Sequence, residues 1–451
     1  MMINGGSTMA NHKGQMSLGA FLYNFGHHYG AWYHPESTVE GVIDLEFYKQ
    51  SAITAERGKF DMIFLADSNS IPSIADVEKS VSFVYPDALT VISMLAGVTD
   101  RIGLAGTVST TFNEPYNLAR RFATLDHLSK GRAAWNVVTG TKEAEARNFN
   151  SSSLLEHSKR YERAREFLHV ASALWDSWED DAVIKDKQKP RFADTSRVHA
   201  INHKGDNFRV DGPLNIPRTP QGRPVIIEAG TSNDGQRLAA ETADVVFTAS
   251  ESKADSINYY RQLKDQLQQF GREDQDIKVM PGILTFIGDT VDEAKEKERV
   301  FNTLLDANAA ILNLSKLMNT DLSGYPIDEP LPELPREGNT SRAIMIMDMG
   351  KATGMTIREL GLHFAVARGH LTITGTPEQV ADIMEDWFLN DACDGFNIMA
   401  PLLPNDLIDF VNKVVPILQS RGLFRKEYEG NTLRDHLRLK RPKSTYALTH
   451  Q

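Results

Sequence analysis

The amino-acid sequence predicts an α/β fold, a (β/α)8 TIM barrel with insertions, from three features of its pattern. Eight short apolar segments are bounded by turn residues, which is typical of strands buried on both faces. Amphipathic segments with helical spacing alternate with them, which indicates parallel strands joined by right-handed crossovers. The glycines form neither G-x-G-x-x-G nor G-x-x-x-x-G-K-S/T, so neither a Rossmann site nor a P-loop is signalled. A doubly wound open sheet is the alternative.

The predicted strands and helices follow one another along nearly the whole chain. The strands are predicted at residues 16–23, 60–65, 102–107, 131–139, 224–228, 244–248, 277–287 and 395–400. The helices are predicted at residues 44–58, 87–99, 115–129, 156–178, from 230–235 onward, 291–317, 376–389 and 404–419. Gly58 ends the first helix and Pro115 lies in the first turn of the third, and both residue types favour those positions.

The barrel is predicted to be a single domain that spans residues 16–437, with insertions at about 181–223 and 319–374. Residues 1–15 lack the apolar core of a signal peptide and are predicted to be a disordered extension or an alternative start. Residues 438–451 are predicted to be a polar C-terminal tail.

Both insertions contain a recognisable pattern. The sequence HAINHKGDNFRVDG at residues 199–212 predicts a hairpin. The apolar, Met-rich segment at residues 344–349 has two interpretations. It is either part of a mobile lid over an apolar ligand, since Met side chains adapt to irregular shapes, or a core or subunit-interface helix.

Composition excludes several classes of function. The 451-residue chain has a net charge of −11 and no long basic run, which argues against nucleic acid as a partner. The single cysteine, Cys393, excludes an intrachain disulfide and fits a reducing cytoplasm. No apolar run approaches the roughly 18 residues of a membrane span, so no membrane association is predicted. His27 and His28 have no carboxylate at metal-ligand spacing, so no metal is predicted either.

Polar residues lie where the predicted strands end. Asn136 interrupts the apolar run of GRAAWNVVTG (residues 131–140), and a buried amide without a partner costs about 1–3 kcal/mol. It is either a satisfied core group or an amide directed at a ligand from the carboxyl end of a barrel strand. Asp67, Thr107 and Thr139 also lie at strand ends, which in a barrel meet at one rim.

The sequence EAGTSNDG at residues 228–235 runs from a strand directly into a helix. At such a turn, free backbone N–H groups and the helix dipole suit a phosphate, with Gly230 and Ser232 in contact with it. Ordinary N-capping by Ser232 is the structural alternative. His157 and Tyr161 lie four residues apart on one helix face. They either complete this anion site or form a packed helix face.

Seven stretches carry a resemblance to a known family. They are GAWYHPE (30–36), ERGKFDMIFLAD (56–67), FATLDHLSKGRAAWNVVTG (122–140), EARNF (145–149), HSKRYERAREFL (157–168), EAGTSNDGQR (228–237) and YEGNTLRDHL (428–437). In this order they resemble the bacterial-luciferase-like flavin monooxygenases. Within that superfamily they resemble the branch of nitrilotriacetate monooxygenase, pristinamycin IIA synthase and dibenzothiophene-sulfone monooxygenase.

The resemblance implies a luciferase-like barrel that binds reduced FMN (FMNH2) loosely, supplied by a separate NAD(P)H:flavin reductase. With O2, such an enzyme oxygenates a small organic substrate of organosulfur, amine or aminocarboxylate type through a flavin peroxide. The family also implies a homodimer or homotetramer. The alternatives are a deazaflavin-dependent oxidoreductase of the same superfamily and a flavin-binding protein without turnover.

The resemblance also implies roles for individual residues. The isoalloxazine would be lined by Asp67, Thr107, Asn136 and Thr139. The phosphate would be held by His157, Tyr161, Gly230 and Ser232. His27 matches a catalytic histidine near the flavin peroxide, and the substrate pocket is predicted to include Phe21, Tyr23 and Phe83. The chain departs from the branch at Gly140, where Ser is usual, and at Glu228, where Gln is frequent and where negative charge would lie near the site.

Overall fold

The fold is described from a computed structural model of the chain. It describes residues 14–38, 40–71, 74, 77, 83–335 and 341–446. Apart from its last two residues, the predicted disordered extension at 1–15 lies outside the described residues. The last five residues of the predicted tail also lie outside them.

Thirteen strands occur in the described part of the chain, and eight of them close into a parallel barrel. In chain order the strands are β1 (Ser17–Leu22), β2 (Met62–Leu65), β3 (Gly103–Ser109), β4 (Ala133–Val138), β5 (Val183–Asp186), β6 (Arg191–Ala193), β7 (His203–Lys204), β8 (Arg209–Val210), β9 (Val225–Glu228), β10 (Val245–Thr248), β11 (Lys278–Ile287), β12 (Leu371–Gly375) and β13 (Gly395–Met399). Around the barrel the order is β1-β2-β3-β4-β9-β10-β11-β13, and β13 pairs back with β1. The predicted (β/α)8 barrel is confirmed.

The helices lie outside this barrel or above its mouth. Those within the described ranges are α1 (Leu45–Arg57), α2 (Ala88–Leu95), α3 (Pro115–Leu128), α4 (Glu143–Asn148), α5 (His157–Asp176), α6 (Asn233–Thr242), α7 (Lys253–Leu267), α8 (Val291–Thr303), α9 (Ala307–Met318), α10 (Ser341–Thr353), α11 (Ile357–Ala367), α12 (Pro377–Leu389), α13 (Asn405–Asp409), α14 (Val415–Ser420) and α15 (Leu433–His436). None of the described helices combines the length and apolarity needed to cross a membrane.

Three predicted elements differ from the observed ones. The predicted helix at 404–419 is divided into α13, a π-helical turn (Phe410–Val414) and α14. The predicted helix at 291–317 is two helices, because Asp306 caps α9 by accepting a hydrogen bond from the Ala309 N–H at 2.8 Å. The predicted insertion at 319–374 contains most of an additional strand, β12, which pairs in parallel with residues 283–287 of β11. The hairpin predicted at 199–212 is confirmed by the antiparallel pairing of β7 with β8.

Alternation along β4 shows how the strands create two buried layers. Ala134 points into the barrel, whereas the fully buried Trp135 points outward. Its ring lies 5.8 Å from that of Phe122 on α3 and 5.6 Å from that of Phe167 on α5. Burial of each such Phe contributes about 1.5–3 kcal/mol. By the same alternation Asn136 points into the barrel, near its carboxyl end.

The second insertion builds a helical layer with its own core. Helices α9, α10 and α11 pack around buried residues that include Leu314, Ile346, Leu360 and Phe364. The Met-rich segment at 344–349 lies within α10, where Ile346 is buried and Met345 is partly exposed. The helical layer is therefore a packed unit rather than an irregular loop.

An ion pair fastens the chain after α14 to the start of the barrel. Arg425 and Asp61 are both buried, and their closest N–O distance is 2.6 Å. The second Asp61 oxygen accepts the Leu18 N–H at 2.7 Å. Loss of one partner would leave a buried, unpaired charge, which costs about 3–5 kcal/mol. Beyond it, within the predicted tail, Arg441 binds Asp180.

Glu228, the last residue of β9, points outward toward α6. The Thr242 hydroxyl donates a hydrogen bond to its carboxyl group at 2.6 Å. Burial raises the pKa of Glu228 to about 8, so that its side chain is mainly protonated at pH 7. In an unfolded chain the same carboxyl group is ionised at that pH.

We therefore expect Glu228→Gln to flatten the pH dependence of stability above pH 7. The folded-state pKa of Glu228 is raised, so its favourable contribution is present at low pH and is lost as the pH rises through about 8. Between pH 7 and pH 9 the wild type should lose about 1.4 kcal/mol of unfolding free energy that the variant retains. Denaturant unfolding at both pH values measures this difference.

The matched control is Glu427→Gln, which neutralises a carboxylate whose side chain is 79% exposed. It should leave the slope between pH 7 and pH 9 unchanged. Equal slopes for wild type and Glu228→Gln would contradict the assigned protonation state.

Candidate functional site

A cavity of about 690 Å³ lies at the carboxyl ends of the barrel strands, under the helical layer. It brings together five residues that the sequence places at the site, namely Thr139, His157, Tyr161, Gly230 and Ser232. Asp67 and Thr107 line a smaller cavity of about 280 Å³. Lys142 lines both cavities, so they are neighbours on the same rim.

Asn136 belongs to a short hydrogen-bond chain on this rim. Its side-chain N–H donates to the Thr107 hydroxyl at 2.8 Å, and that hydroxyl donates to the Leu65 carbonyl at 2.7 Å. The side-chain oxygen of Asn136 is buried and has no hydrogen-bond partner among the described residues. A buried acceptor of this kind is expected to find a donor, because leaving it unpaired costs about 1–3 kcal/mol. The amide N–H of Asn136 is therefore hydrogen-bonded, whereas its amide oxygen is not.

Asp67 follows β2 and is held by two backbone donors. Its carboxylate accepts the Ser68 N–H at 2.7 Å and the Ala88 N–H at 3.3 Å. Burial raises the pKa of Asp67 to about 6, and the nearby Asp87 and Glu145 carboxylates add to the rise. It is therefore mainly ionised at pH 7 but close to its midpoint.

The start of α6 forms the opposite end of the main cavity. Ser232 caps this helix by accepting the Gly235 N–H at 3.2 Å. Gly230 passes so close to Gly235 that a Cβ on Gly230 would lie 2.7 Å from the Gly235 Cα. Tyr259 donates to the Gly230 carbonyl at 3.1 Å and fixes the turn. The local sequence is glycine-rich because this crossing leaves no room for a side chain.

Polar side chains of α5 face the same turn. The His157 and Tyr161 rings are 4.9 Å apart, and Tyr161 hydrogen-bonds Ser232. His157 also contacts Asp234, with 3.4 Å between nitrogen and oxygen. Arg160 lies between them in sequence, and its buried Nε has no acceptor among the described residues. Hydroxyl, imidazole and guanidinium donors at a helix N-terminus suit an anionic group such as a phosphate.

His27 lies buried after β1, and hydrogen bonds engage both of its ring nitrogens. Nε2 donates to the Phe21 carbonyl at 2.8 Å, so Nδ1 is the acceptor for the Arg368 guanidinium. Burial and the adjacent Arg368 charge hold the pKa of His27 well below its usual range, so the ring is neutral at pH 7. It packs against Phe21 and Tyr23, with ring centroids 4.5 and 5.3 Å away.

The three predicted substrate-pocket residues do not form one cluster. Phe21 and Tyr23 are neighbours with centroids 6.1 Å apart, and the Tyr23 hydroxyl lies 2.9 Å from that of Tyr85. Phe83 lies instead beneath the Lys316 ammonium group, 5.7 Å from ring centroid to nitrogen. Lys316 belongs to α9 and lines the main cavity, whereas Phe83 is in the lining of neither cavity.

Several cavity residues come from the second insertion and were not identified from the sequence. Arg342 and Met345 on α10 and His370 before β12 line the main cavity. His370 stacks on Phe247 with centroids 5.2 Å apart, and burial, with Arg342 and Arg368 nearby, lowers its pKa well below the usual range. The clustering of these residues depends on helix packing, which leaves no local pattern in the sequence.

The chain departs from the family pattern at Gly140 and at Glu228, and the structure shows the surroundings of both residues. Gly140 has a φ of +70°, and its carbonyl accepts a hydrogen bond from Arg160. The expectation that Glu228 brings negative charge to the site is wrong, because its carboxyl group points to α6 and is mainly neutral at pH 7. Among the described residues, no group of three His, Cys, Asp or Glu side chains could hold a metal ion.

Curated relatives match almost the whole chain. The protein is 48% identical over 443 residues to the N-acetyl-S-(2-succino)cysteine monooxygenase of Bacillus subtilis (strain 168), with coverage of 97% of this chain and 100% of the relative. It is 45% identical to nitrilotriacetate monooxygenase component A of Aminobacter aminovorans, with coverage of 96% and 98%.

Solved structures share the barrel over a similar extent. The long-chain alkane monooxygenase LadA has a TM-score of 0.85 at 34% identity, with coverage of 97% of this chain and 99% of that chain. The EDTA monooxygenase EmoA from Chelativorans sp. BNC1 has a TM-score of 0.81 at 35% identity, with coverage of 95% and 99%. An F420-dependent secondary alcohol dehydrogenase, at 14% identity and a TM-score of 0.56, shares the fold alone.

The family model for luciferase-like monooxygenases matches residues 20–390, which include the rim and both insertions. A match of this extent, together with relatives that are 48% and 45% identical over nearly their full lengths, shows that the chain belongs to the luciferase-like monooxygenase family and is a flavin-dependent monooxygenase.

Proposed function

We propose that this protein is the oxygenating component of a two-component system that uses FMNH2 and O2 on a small organosulfur or aminocarboxylate substrate. A separate NAD(P)H:flavin reductase supplies the FMNH2. The nitrilotriacetate monooxygenase relative is called component A, and this name supports the presence of a second component. We also propose that the protein is a homodimer or homotetramer. We propose a cytoplasmic location, which the single buried cysteine supports.

The observation that carries this proposal is the polarity of the cavity. The lining of the main cavity offers donors to an anion around the α6 N-terminus. Asn136 lies outside this lining, but its amide is bonded to Thr107 of the adjoining cavity and its buried oxygen needs a donor. FMN has an anionic phosphate at one end and a polar ring edge with an N–H at the other. Asn136 and the buried, unpaired Arg160 Nε thus fit opposite ends of this cofactor. When bound, the reduced flavin supplies the electrons that activate O2.

The phosphate would be held by His157, Tyr161 and the 230–232 turn, with Arg160 beside them. Charge-assisted hydrogen bonds of this kind are shorter and stronger than neutral ones. The crossing of Gly230 over Gly235 lets backbone N–H groups approach the anion closely. The ring would be oriented by Asn136, with Thr107, Asp67 and Thr139 around it.

The chain's own contribution to the chemistry is to exclude water and to fix a neutral imidazole near the cavity. His27 carries its proton on Nε2 and directs it to the Phe21 carbonyl, away from Arg368. Phe21, Tyr23 and Phe247 provide an apolar wall beside it. The packed layer of α9–α11 serves as the lid. Exclusion of water protects a reactive oxygen species from unproductive breakdown.

No specific observation favours either alternative, the deazaflavin-dependent oxidoreductase or the flavin-binding protein without turnover. The F420-dependent structures are only 14% and 15% identical to this chain, and that likeness carries the fold alone. A flavin-binding protein without turnover has no need for the neutral His27, the apolar wall and the helical cover together. We therefore retain the monooxygenase proposal, with the relatives' substrates guiding the choice of substrate class.

We expect Tyr161→Phe and Ser232→Ala each to weaken binding of reduced FMN by roughly tenfold, since each removes a hydroxyl donor to the phosphate. Binding of reduced riboflavin, which lacks the phosphate, should be unchanged. Anaerobic titrations with both flavins measure the ratio of affinities. An unchanged ratio would contradict the assignment of the phosphate end.

Ser252→Ala is the matched control for Ser232→Ala. Ser252 caps α7 through the Asp255 N–H at 3.3 Å, much as Ser232 caps α6. Both variants should lose about 1 kcal/mol of stability from the cap. Only Ser232→Ala should change the preference for FMN over riboflavin.

We expect His27→Ala to uncouple oxygen consumption from product formation. Loss of the buried ring opens a void and releases the Arg368 guanidinium, so water reaches the cavity and O2 is reduced to hydrogen peroxide instead. Product formed per reduced flavin oxidised should fall by roughly tenfold, which corresponds to a shift of about 1.4 kcal/mol toward the unproductive pathway. Oxygen uptake, peroxide and product are measured together.

His169→Ala is the control, because its side chain is 56% exposed and contacts Glu241 on the barrel exterior. It should retain the wild-type yield. Full coupling in His27→Ala would remove the proposed role of this residue, and no substrate-dependent oxygen uptake by the wild type would remove the proposed function.

A further inference from the structure

We propose that the substrate carries at least one carboxylate, and that Arg342 and Arg368, both from the second insertion, bind it at the end of the cavity opposite the α6 N-terminus. This inference rests on the proposed function, because it assigns the substrate end of the same cavity. It specifies the substrate class by charge and names the residues that select it.

Arg342 on α10 lines the main cavity without a counter-charge. No carboxylate in the described part of the chain forms an ion pair with it, and the charged neighbour that affects its pKa is the cation Arg368. Burial, followed by that neighbour, lowers the pKa of Arg342 to about 10, so it is still charged at pH 7. A desolvated cation beside another cation is unfavourable unless an anion joins them.

Arg368 is held by the fold in an unusual conformation. It ends α11 with a φ of +53°, a left-handed conformation that glycine or asparagine normally occupies. Its guanidinium lies 4.2 Å from the Tyr23 ring centroid and donates to His27, which fixes the group in place. No carboxylate of the described residues pairs with it. Arg368 is not in the cavity lining itself but adjoins Arg342 and His370, which are, so we assign its remaining N–H donors to the same ligand.

The two arginines suit a carboxylate better than a second phosphate. Each planar guanidinium matches the two oxygens of a carboxylate in a bidentate pair. The phosphate site has a different composition, with one arginine, a histidine, hydroxyl groups and a helix N-terminus. Phe247 and Met345, which line the same cavity, provide an apolar surface for a sulfur or methylene group beside the carboxylate.

The test compares carboxylate probes with their methyl esters. Binding of N-acetyl-S-(2-succino)cysteine, of nitrilotriacetate and of each methyl ester is measured by anaerobic calorimetry, on the protein with reduced FMN and on the protein alone. We expect at least one carboxylate to bind roughly 10- to 100-fold more tightly than its ester. Arg342→Gln and Arg368→Gln should abolish that difference while affinity for reduced FMN stays the same.

The control is Arg299→Gln, whose side chain is 63% exposed and pairs with Glu296 on the same helix. It should behave as the wild type, and Arg368→Lys should restore part of the preference because it keeps the charge. The inference is overturned if no carboxylate binds more tightly than its ester, or if the arginine variants keep the preference. It is also overturned if they lose affinity for reduced FMN instead. If the wild type does not bind reduced FMN, the proposed function is refuted. The carboxylate inference is then still decided, because carboxylates and their esters are also compared on the protein without flavin.

Discussion

Closure of the parallel barrel through β11 is the constraint on which the rest of the structure depends. This strand pairs first with β10 at residues 278–281, then with β13 at 282–284 and with β12 at 283–287. Closure of a parallel sheet brings the carboxyl ends of all its strands to one rim. Asn136, Thr107 and the Gly230 turn therefore lie around one opening although long stretches of sequence separate them. The extension of β11 beyond the ring also carries β12, which anchors the chain just after His370.

The features that the sequence predicts are those that depend on neighbouring residues, such as strand alternation and turns. The buried strand with an internal amide predicted Asn136 on the rim, because strand alternation and the barrel pattern together fix its direction. The turn before α6 could also be predicted, because the strand pattern runs through Gly230 directly into a helix. The close crossing of Gly230 with Gly235 is visible only in the structure. The break at Asp306 was missed because the apolar spacing continues through it, and only the capping hydrogen bond divides α8 from α9.

The features that the sequence did not predict depend on packing between distant segments. Arg342 and Arg368 come from different helices, and they approach one another only because α9, α10 and α11 share a core. Glu228 is likewise protonated because it is buried against α6. The residues next to Glu228 in the sequence do not predict this burial. β12 lies in a predicted insertion because eight predicted strands already account for the barrel.

The cavity also shows why net charge is a poor guide to the charge of a ligand. The chain carries −11 overall, yet Lys142, Arg160, Lys316 and Arg342 line this cavity. Within a partly desolvated space these nearby charges act more strongly than exposed carboxylates on the outer helices, which water and salt screen. The neutral His27 belongs to the same arrangement, because a further cation next to Arg368, in addition to Arg342, would raise the cost of burying these groups. The contact between Arg368 and His27 lowers the pKa of His27 and fixes the guanidinium for which we propose an anion-binding role. The same contact links the apolar wall after β1 to the helical layer above the barrel.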